Sequence, residues 1–170
     1  GSRTISVDDV YAIAEKNPEL IQSVSPQIDF SGSGDLKIGT STYRWLRIYG
    51  VDEDYTTLKN YTIAKGRGLQ YMDIKDNKQV CVIGDYLNRV GQTLKVGANK
   101  FRIVGVLAAK VSDPSLQEGS DDACVYLPYT TVMRLSNTSM AQSYIAIMTD
   151  ENKANDAKAV MEASLYNLFK

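Results

Sequence analysis

The sequence predicts an α+β domain in which mixed helix and strand at both chain ends flank a strand-rich middle. Three observations carry this reading. Apolar residues recur at helical spacing near the start, at Val7, Val10, Ile13 and Ala14, and near the end, at Ala154, Ala157, Met161, Leu165 and Leu168. Between about residues 63 and 118, short alternating strands and turn residues dominate. The composition is that of a folded domain, with 170 residues, 44% of them hydrophobic and 23% charged, too apolar to stay disordered.

The elements follow in order. Ser6 with Asp9 three positions later forms a capping-box-like start, Asp standing in for the longer Glu or Gln. Asn17-Pro18 ends this first helix, because a residue before proline avoids helical backbone angles. Residues 20–30 read as a strand, and Pro26 inside it predicts an edge position. Ser31, Gly32, Ser33, Gly34 and Asp35 form a turn. Residues 36–51 read as one long strand that completes a hairpin, with Tyr43, Trp45, Arg47 and Tyr49 on one face and Arg44, Leu46 and Ile48 on the other. Asp52, Glu53 and Asp54 precede a short helix over 55–60, where acids suit the helix dipole.

Residues 66–68 and 73–78 read as turns, residues 79–83 as a buried strand, and Tyr86-Leu87 as one helical turn. Residues 93–96 and 101–107 form a hairpin around Gly97-Ala98-Asn99-Lys100. Residues 112–122 are a polar loop, and 123–127 a strand. Pro128 opens a helix to about Leu135, at a position where its missing N–H is harmless. Residues 143–148 read as a strand, and a helix is expected from Glu151 onward.

Several function classes fall away. No run of about 18 apolar residues is present, so no membrane span is expected within the sequence, and no secretory leader is expected either. Gly1-Ser2 reads as a cloning remnant, so native sequence is expected beyond the ends. Nineteen Lys and Arg balance twenty Asp and Glu, giving no general footprint for nucleic acid. Histidine is absent, which removes Ser-His-Asp and Cys-His nucleophiles. Cys81 and Cys124 alone supply too few ligands for zinc, and each sits in an apolar run as a buried thiol would.

Gly32-Ser33-Gly34 fails the dinucleotide fingerprint, since Lys37 stands where the third glycine belongs and a strand follows. Asp73-Ile74-Lys75-Asp76-Asn77 fails as a calcium loop because Lys75 occupies a ligand position, so it reads as a solvated turn. Asp52-Glu53-Asp54 and Asp121-Asp122 read as helix-start and loop acids. No acid lies in an apolar context that would raise its pKa. No catalytic, cofactor-binding or metal residue is assigned, and no cofactor is expected.

Several segments, in their order, resemble the extracytoplasmic core domain of MacB-type ABC transporter permeases, which carry an FtsX-like permease region. They are Ser6-Val7-Asp8-Asp9-Val10, Ile48-Tyr49-Gly50-Val51-Asp52-Glu53-Asp54-Tyr55, Lys65-Gly66-Arg67, Asp73, and Val80-Cys81-Val82-Ile83-Gly84. Further on come Val90-Gly91-Gln92-Thr93-Leu94, Phe101-Arg102-Ile103-Val104-Gly105-Val106-Leu107 and Val125-Tyr126-Leu127-Pro128-Tyr129-Thr130-Thr131. One departure is a short segment at residues 84–90, where the family often has a longer one. The resemblance implies two subdomains. Residues 1–62 and 119–170 would form a discontinuous porter-like α/β part, and 63–118 an inserted β-rich Sabre-like part.

It also implies a domain without catalysis at the extracytoplasmic face of the bacterial cytoplasmic membrane. The implied partners are a membrane-fusion adaptor protein, a cytoplasmic ABC ATPase acting through the parent permease, and a second permease subunit, identical or different. The isolated segment is expected to be monomeric. Partner contacts are expected on two polar, glycine-bearing loops: Ser31, Gly32, Ser33, Gly34 and Asp35 in one, and Ser112, Asp113, Ser115, Gln117, Glu118 and Asp121 in the other. The competing reading is an independent secreted or surface module that binds peptide or glycan on the Tyr43, Trp45, Tyr49 stripe.

Overall fold

A computed structural model describes residues 5–30, 35–44, 46–88, 91–141 and 143–148. The expected C-terminal helix from residue 151, turn residues 31–34 and Trp45 lie outside the described residues. The chain opens with β1 (Ile5–Ser6) and α1 (Val7–Lys16). Ser6 caps α1 as expected, its Oγ accepting the Asp9 N–H at 3.1 Å. Asn17 closes the helix, its Nδ2 donating to the Ile13 carbonyl at 2.8 Å. There follow β2 (Ile21–Asp29), β3 (Leu36–Ile38), β4 (Ser41–Tyr43), β5 (Arg47–Val51), the single turn α2 (Tyr55–Leu58) and β6 (Ile63–Gly66).

The middle of the chain contributes α3 (Tyr71–Lys75), β7 (Val80–Ile83), a 3-10 turn at Asp85–Leu87, β8 (Thr93–Val96) and β9 (Asn99–Leu107). After two more 3-10 turns at Pro114–Leu116 and Asp121–Ala123 come β10 (Cys124–Pro128), α4 (Tyr129–Ser136), β11 (Met140–Ala141) and β12 (Ser143–Met148). The α+β class expected from the sequence is the one observed.

Ten of these strands join one sheet in the order β12-β2-β5-β10-β7-β9-β8-β3-β4, with β6 added beside β9. β5–β10 and β7–β9 are parallel and every other pair is antiparallel; β1 and β11 form a separate two-stranded ladder. The central strands are buried on both faces. In β10, Val125 and Leu127 enter one apolar cluster with Val10, Ile28, Ile83, Phe101 and Val132, while Cys124 and Tyr126 enter a second with Val51, Tyr55, Ile74 and Val82. Both cysteines are free and buried, one in each cluster.

Three expectations are corrected. β2 is not an edge strand, since it lies between β12 and β5. Its ladder to β5 involves only Ile28 and Asp29, so at the level of Pro26 the strand is paired on the β12 side alone. Proline is tolerated there because no second ladder needs its N–H.

The long strand over 36–51 is instead three strands. Gly39 adopts a left-handed φ of +59° and folds β3 back on β4, while Arg44 and Leu46 lie outside any strand. Of the turn expected over 73–78, residues 73–75 instead end a helix that starts at Tyr71, and 76–77 do turn. Thr130 Oγ1 donates to the Ile74 carbonyl, and Thr131 Oγ1 to the Lys78 carbonyl at 2.7 Å. Those hydroxyls at the start of α4 tie it to carbonyls at the end of α3 and in the turn after it, the Ile74 carbonyl also accepting the Asn77 N–H at 3.2 Å.

Candidate partner-contact cleft

The β3–β4 hairpin pairs with β8 through Leu36↔Val96, Lys37↔Lys95 and Ile38↔Leu94. That register carries the hairpin to the far end of the sheet, beside the loop that precedes β10. Between them lies an open cleft of about 570 Å³, lined by Asp35, Lys37, Thr42, Tyr43, Arg44, Leu46, Tyr86 and Glu118. Its aromatic floor is an edge-to-face pair, Tyr43 and Tyr86, with centroids 6.0 Å apart and planes at 73°. Asp35 and Arg44 form an exposed pair at 3.7 Å on the rim. Two expected contact residues from different loops, Asp35 and Glu118, therefore meet at one cleft. Tyr43, Arg44 and Tyr86 were not singled out for this place.

The loop over 112–122 is latched rather than merely solvated. The buried Asp122 carboxylate accepts the backbone N–H groups of Lys110 at 2.8 Å and Val111 at 2.9 Å. Gln117 is turned inward, against the expectation of a surface contact, and its Nε2 donates to Asp85 at 2.9 Å and to Asp122 at 3.3 Å. A buried amide needs such partners, which is why it faces in. Ser120 Oγ donates to the Gln117 carbonyl at 2.6 Å and accepts the Asp122 N–H at 3.1 Å.

Ser112, Asp113, Ser115 and Glu118 are exposed. Asp113 accepts Ser115 N–H at 3.0 Å and its hydroxyl at 2.8 Å, and these bonds hold its carboxyl below the usual range. Asp121 is exposed but faces elsewhere, accepting from Tyr61 at 3.1 Å and Arg47 at 3.5 Å.

Tyr43 and Tyr49, the described members of the expected aromatic stripe, do not share a face. Tyr43 lies on β4 and Tyr49 on β5, six places apart along the sheet. Tyr49 stacks against Tyr126 at 6.3 Å instead.

Acids prove to be sequestered, contrary to expectation. Asp52, Asp73 and Asp122 are each less than 5% exposed. At the end of β5, Asp52 accepts the Tyr11 hydroxyl at 2.8 Å and the Asp54 N–H at 2.9 Å, while its own N–H donates to Ser25 Oγ at 3.0 Å. Burial pushes the Asp52 carboxyl up to about 6, with help from the nearby Glu53 and Asp54 charges and against the bonds from Tyr11 and Asp54. Burial also raises Tyr11, which stays protonated as the donor. In the sequence Asp52 reads only as the first of three acids, because the partners that enclose it, Tyr11 and Ser25, lie 41 and 27 positions away.

The sign follows from linkage. The folded state keeps the Asp52 proton up to about pH 6, while the unfolded chain releases it near 4. Folded protein thus binds more protons in that window, and stability falls as pH rises through it. The loss levels off above pH 6 at no more than about 3 kcal/mol. Asp52→Asn is expected to remove this slope, gaining stability over the parent at pH 7.5 relative to pH 4.5. Denaturant melts at those two pH values check it, and a variant-minus-parent difference that is the same at both refutes it.

The fold recurs in solved transporter domains. The periplasmic region of MacB from Actinobacillus actinomycetemcomitans superposes with a TM-score of 0.76 over 94% of this chain and 72% of that one, at 23% identity. The extracellular domain of the noncanonic ABC-type transporter YknZ from Gram-positive bacteria superposes at 0.72 over 91% of this chain and 78% of that one, at 12% identity. The fold class is thus that of the outer domains of ABC-type transporters.

In sequence, the macrolide export ATP-binding/permease proteins MacB of Mannheimia succiniciproducens and Vibrio parahaemolyticus are 26% and 29% identical over 94% and 99% of this chain. The chain spans 25% of the length of each. The MacB-like periplasmic core domain family matches residues 1–164, and the chain belongs to that family. No helix among the described residues is long and apolar enough to cross a membrane.

Proposed function

We propose that this chain is the extracytoplasmic coupling domain of a MacB-type ABC transporter permease. In this reading it carries no catalysis of its own. It passes motion driven by a cytoplasmic ATPase to a membrane-fusion adaptor outside the membrane, in the setting of a permease dimer. Residues 1–62 and 119–170 serve as the porter-like part and 63–118 as the inserted Sabre-like part. The observation that supports this most is the unbroken ladder from β12 to β4. Strands from both chain ends are hydrogen-bonded, through β10, to strands of the inserted segment. A close-packed sheet of this kind transmits displacement with little compression. Membership of the family supplies the context of an ATP-driven two-state machine.

Fractionation of the full-length native product, with protease added outside the cell, tests the setting. Recovery in the membrane with this segment cleaved from outside is expected. Recovery as a free secreted protein overturns the reading in favour of a secreted or surface binding module. The cleft has its own test. Simultaneous reversal of Asp35 and Glu118 to lysine is expected to weaken adaptor binding about tenfold, the scale of two partly desolvated charge contacts. Unchanged binding removes the cleft from the interface.

A further inference from the structure

The chain as a whole is nearly neutral, but its charge is segregated. Residues 63–118 hold nine Lys and Arg against five Asp and Glu, while the remainder holds ten against fifteen. The ladder places Lys95 of β8 directly opposite Lys100 of β9, both in the positive part, and directly opposite Lys37 of β3, which the remainder contributes. All three are exposed, and so is Arg102, two residues beyond Lys100 on the same face of β9. The alternate residues Leu36, Ile38, Leu94, Val96 and Phe101 are buried on the other face. Among the described residues no carboxylate pairs with any of these four cations. Lys37, Lys95 and Lys100 line one shallow pocket together with Gln92 and Thr93.

Like charges directly opposite one another across strands are destabilising. Lysine is often placed on edge strands to block aggregation, but β3, β8 and β9 are all interior to the sheet, so that explanation does not apply. A destabilising row kept on a well-ordered sheet face points to a use outside folding. We infer that the row Lys37–Lys95–Lys100, flanked by Arg102, is a docking surface for an acidic helical segment of a partner protein.

The spacing argues for a helix. Three neighbouring strands put the outer lysines about 10 Å apart. Carboxylates at i, i+4 and i+8 on a helix rise about 12 Å over the same three positions. An extended strand of alternating acids spreads the same charges over about 13 Å and matches less well. The inference holds whether or not the chain works in a transporter, because it rests on this register and charge alone.

The test uses the 170-residue chain and three probes: an alanine-based helical peptide with Glu at i, i+4 and i+8, an isomer of equal charge with the three Glu consecutive, and inorganic polyphosphate. The spaced peptide is expected to bind, and more tightly than its isomer. Its binding is expected to weaken at least about tenfold in the triple variant Lys37→Gln, Lys95→Gln, Lys100→Gln, from three exposed charge contacts acting together. The variant is expected to melt no lower than the parent, because the substitutions relieve repulsion; an unfolded triple variant would be replaced by Lys95→Gln alone with the same readout. Equal binding by parent and variant overturns the inference, as does binding of polyphosphate without the spaced peptide. Failure of these tests leaves the cleft and the membrane setting untouched, since those are read from adaptor binding and fractionation.

Discussion

Gly105→Ala is expected to lower the stability of the domain by about 3 kcal/mol, a large share of what folds a domain of this size. The cause is the approach of two backbones. β7 and β9 slip register between Cys81↔Ile103 and Val82↔Gly105, so Val104 is a bulged residue, and its carbonyl accepts the Arg67 N–H at 2.9 Å. A Cβ on Gly105 would lie 1.9 Å from the Arg67 carbonyl oxygen. Neither group is the free end of a side chain, so either the β6–β9 ladder opens or the bulge moves. Thermal melts of the parent and variant check this, with an expected fall of roughly 6–12 °C. Gly119→Ala provides the contrast. Its φ is +81° but nothing lies within 4 Å of the added carbon, so only the backbone strain of about 1 kcal/mol applies. Equal melting points for the two variants would refute the steric account.

Asp73→Ala is expected to cost about 3 kcal/mol as well, through charge rather than volume. The Asp73 carboxylate takes a two-pronged bond from Arg67 at 2.7 and 3.2 Å and the Gln70 N–H at 2.8 Å, with Lys78 3.9 Å away. Burial alone would raise its pKa, but the bonds from Arg67 and Gln70 and the Arg67 and Lys78 charges outweigh that and hold it below the ordinary value. The loss is at the low end for breaking a buried pair because Arg67 keeps access to water and rehydrates when released. Asp73→Asn, which keeps an oxygen for Gln70, is expected to lose less. The pH dependence is opposite to that of Asp52: the stabilisation is present above pH 4 and fades as acid protonates the carboxyl below it. An alanine variant as stable as the parent at pH 7 would show that the pair contributes nothing.

What the sequence made legible was what is decided locally. α1 rests on Ser6, Asp9 and Asn17, all within its own length. The β8–β9 hairpin follows from alternation on both sides of Gly97, and β7 from an unbroken apolar run. What it hid was decided by distant partners. The alternation from Leu36 to Val51 looks continuous, and only pairing of β3 with β8, more than fifty positions later, shows why the chain must turn at Gly39. Residues 73–78 look solvated because the threonines that bond to them, Thr130 and Thr131, lie more than fifty positions later in the chain. Asp35 and Glu118 were legible as loop residues, while their meeting at one cleft depended on that same β3–β8 ladder.

The topology also fixes an order of events on the ribosome. β8 and β9 close around a two-residue loop and can pair as soon as both emerge. β2 has no such option. Its long ladder is to β12, and even its short contact with β5 stands beside a strand that waits for β10. The 113 residues between the end of β2 and the start of β12 take on the order of ten seconds at ordinary translation speeds. Throughout that interval the inward residues Val24, Ile28, Leu36 and Ile38 of the first strands remain without their full cover. The nascent N-terminal fifth of the chain is therefore the part that waits longest for its partner strands, and the β8–β9 hairpin is the part that can pair first.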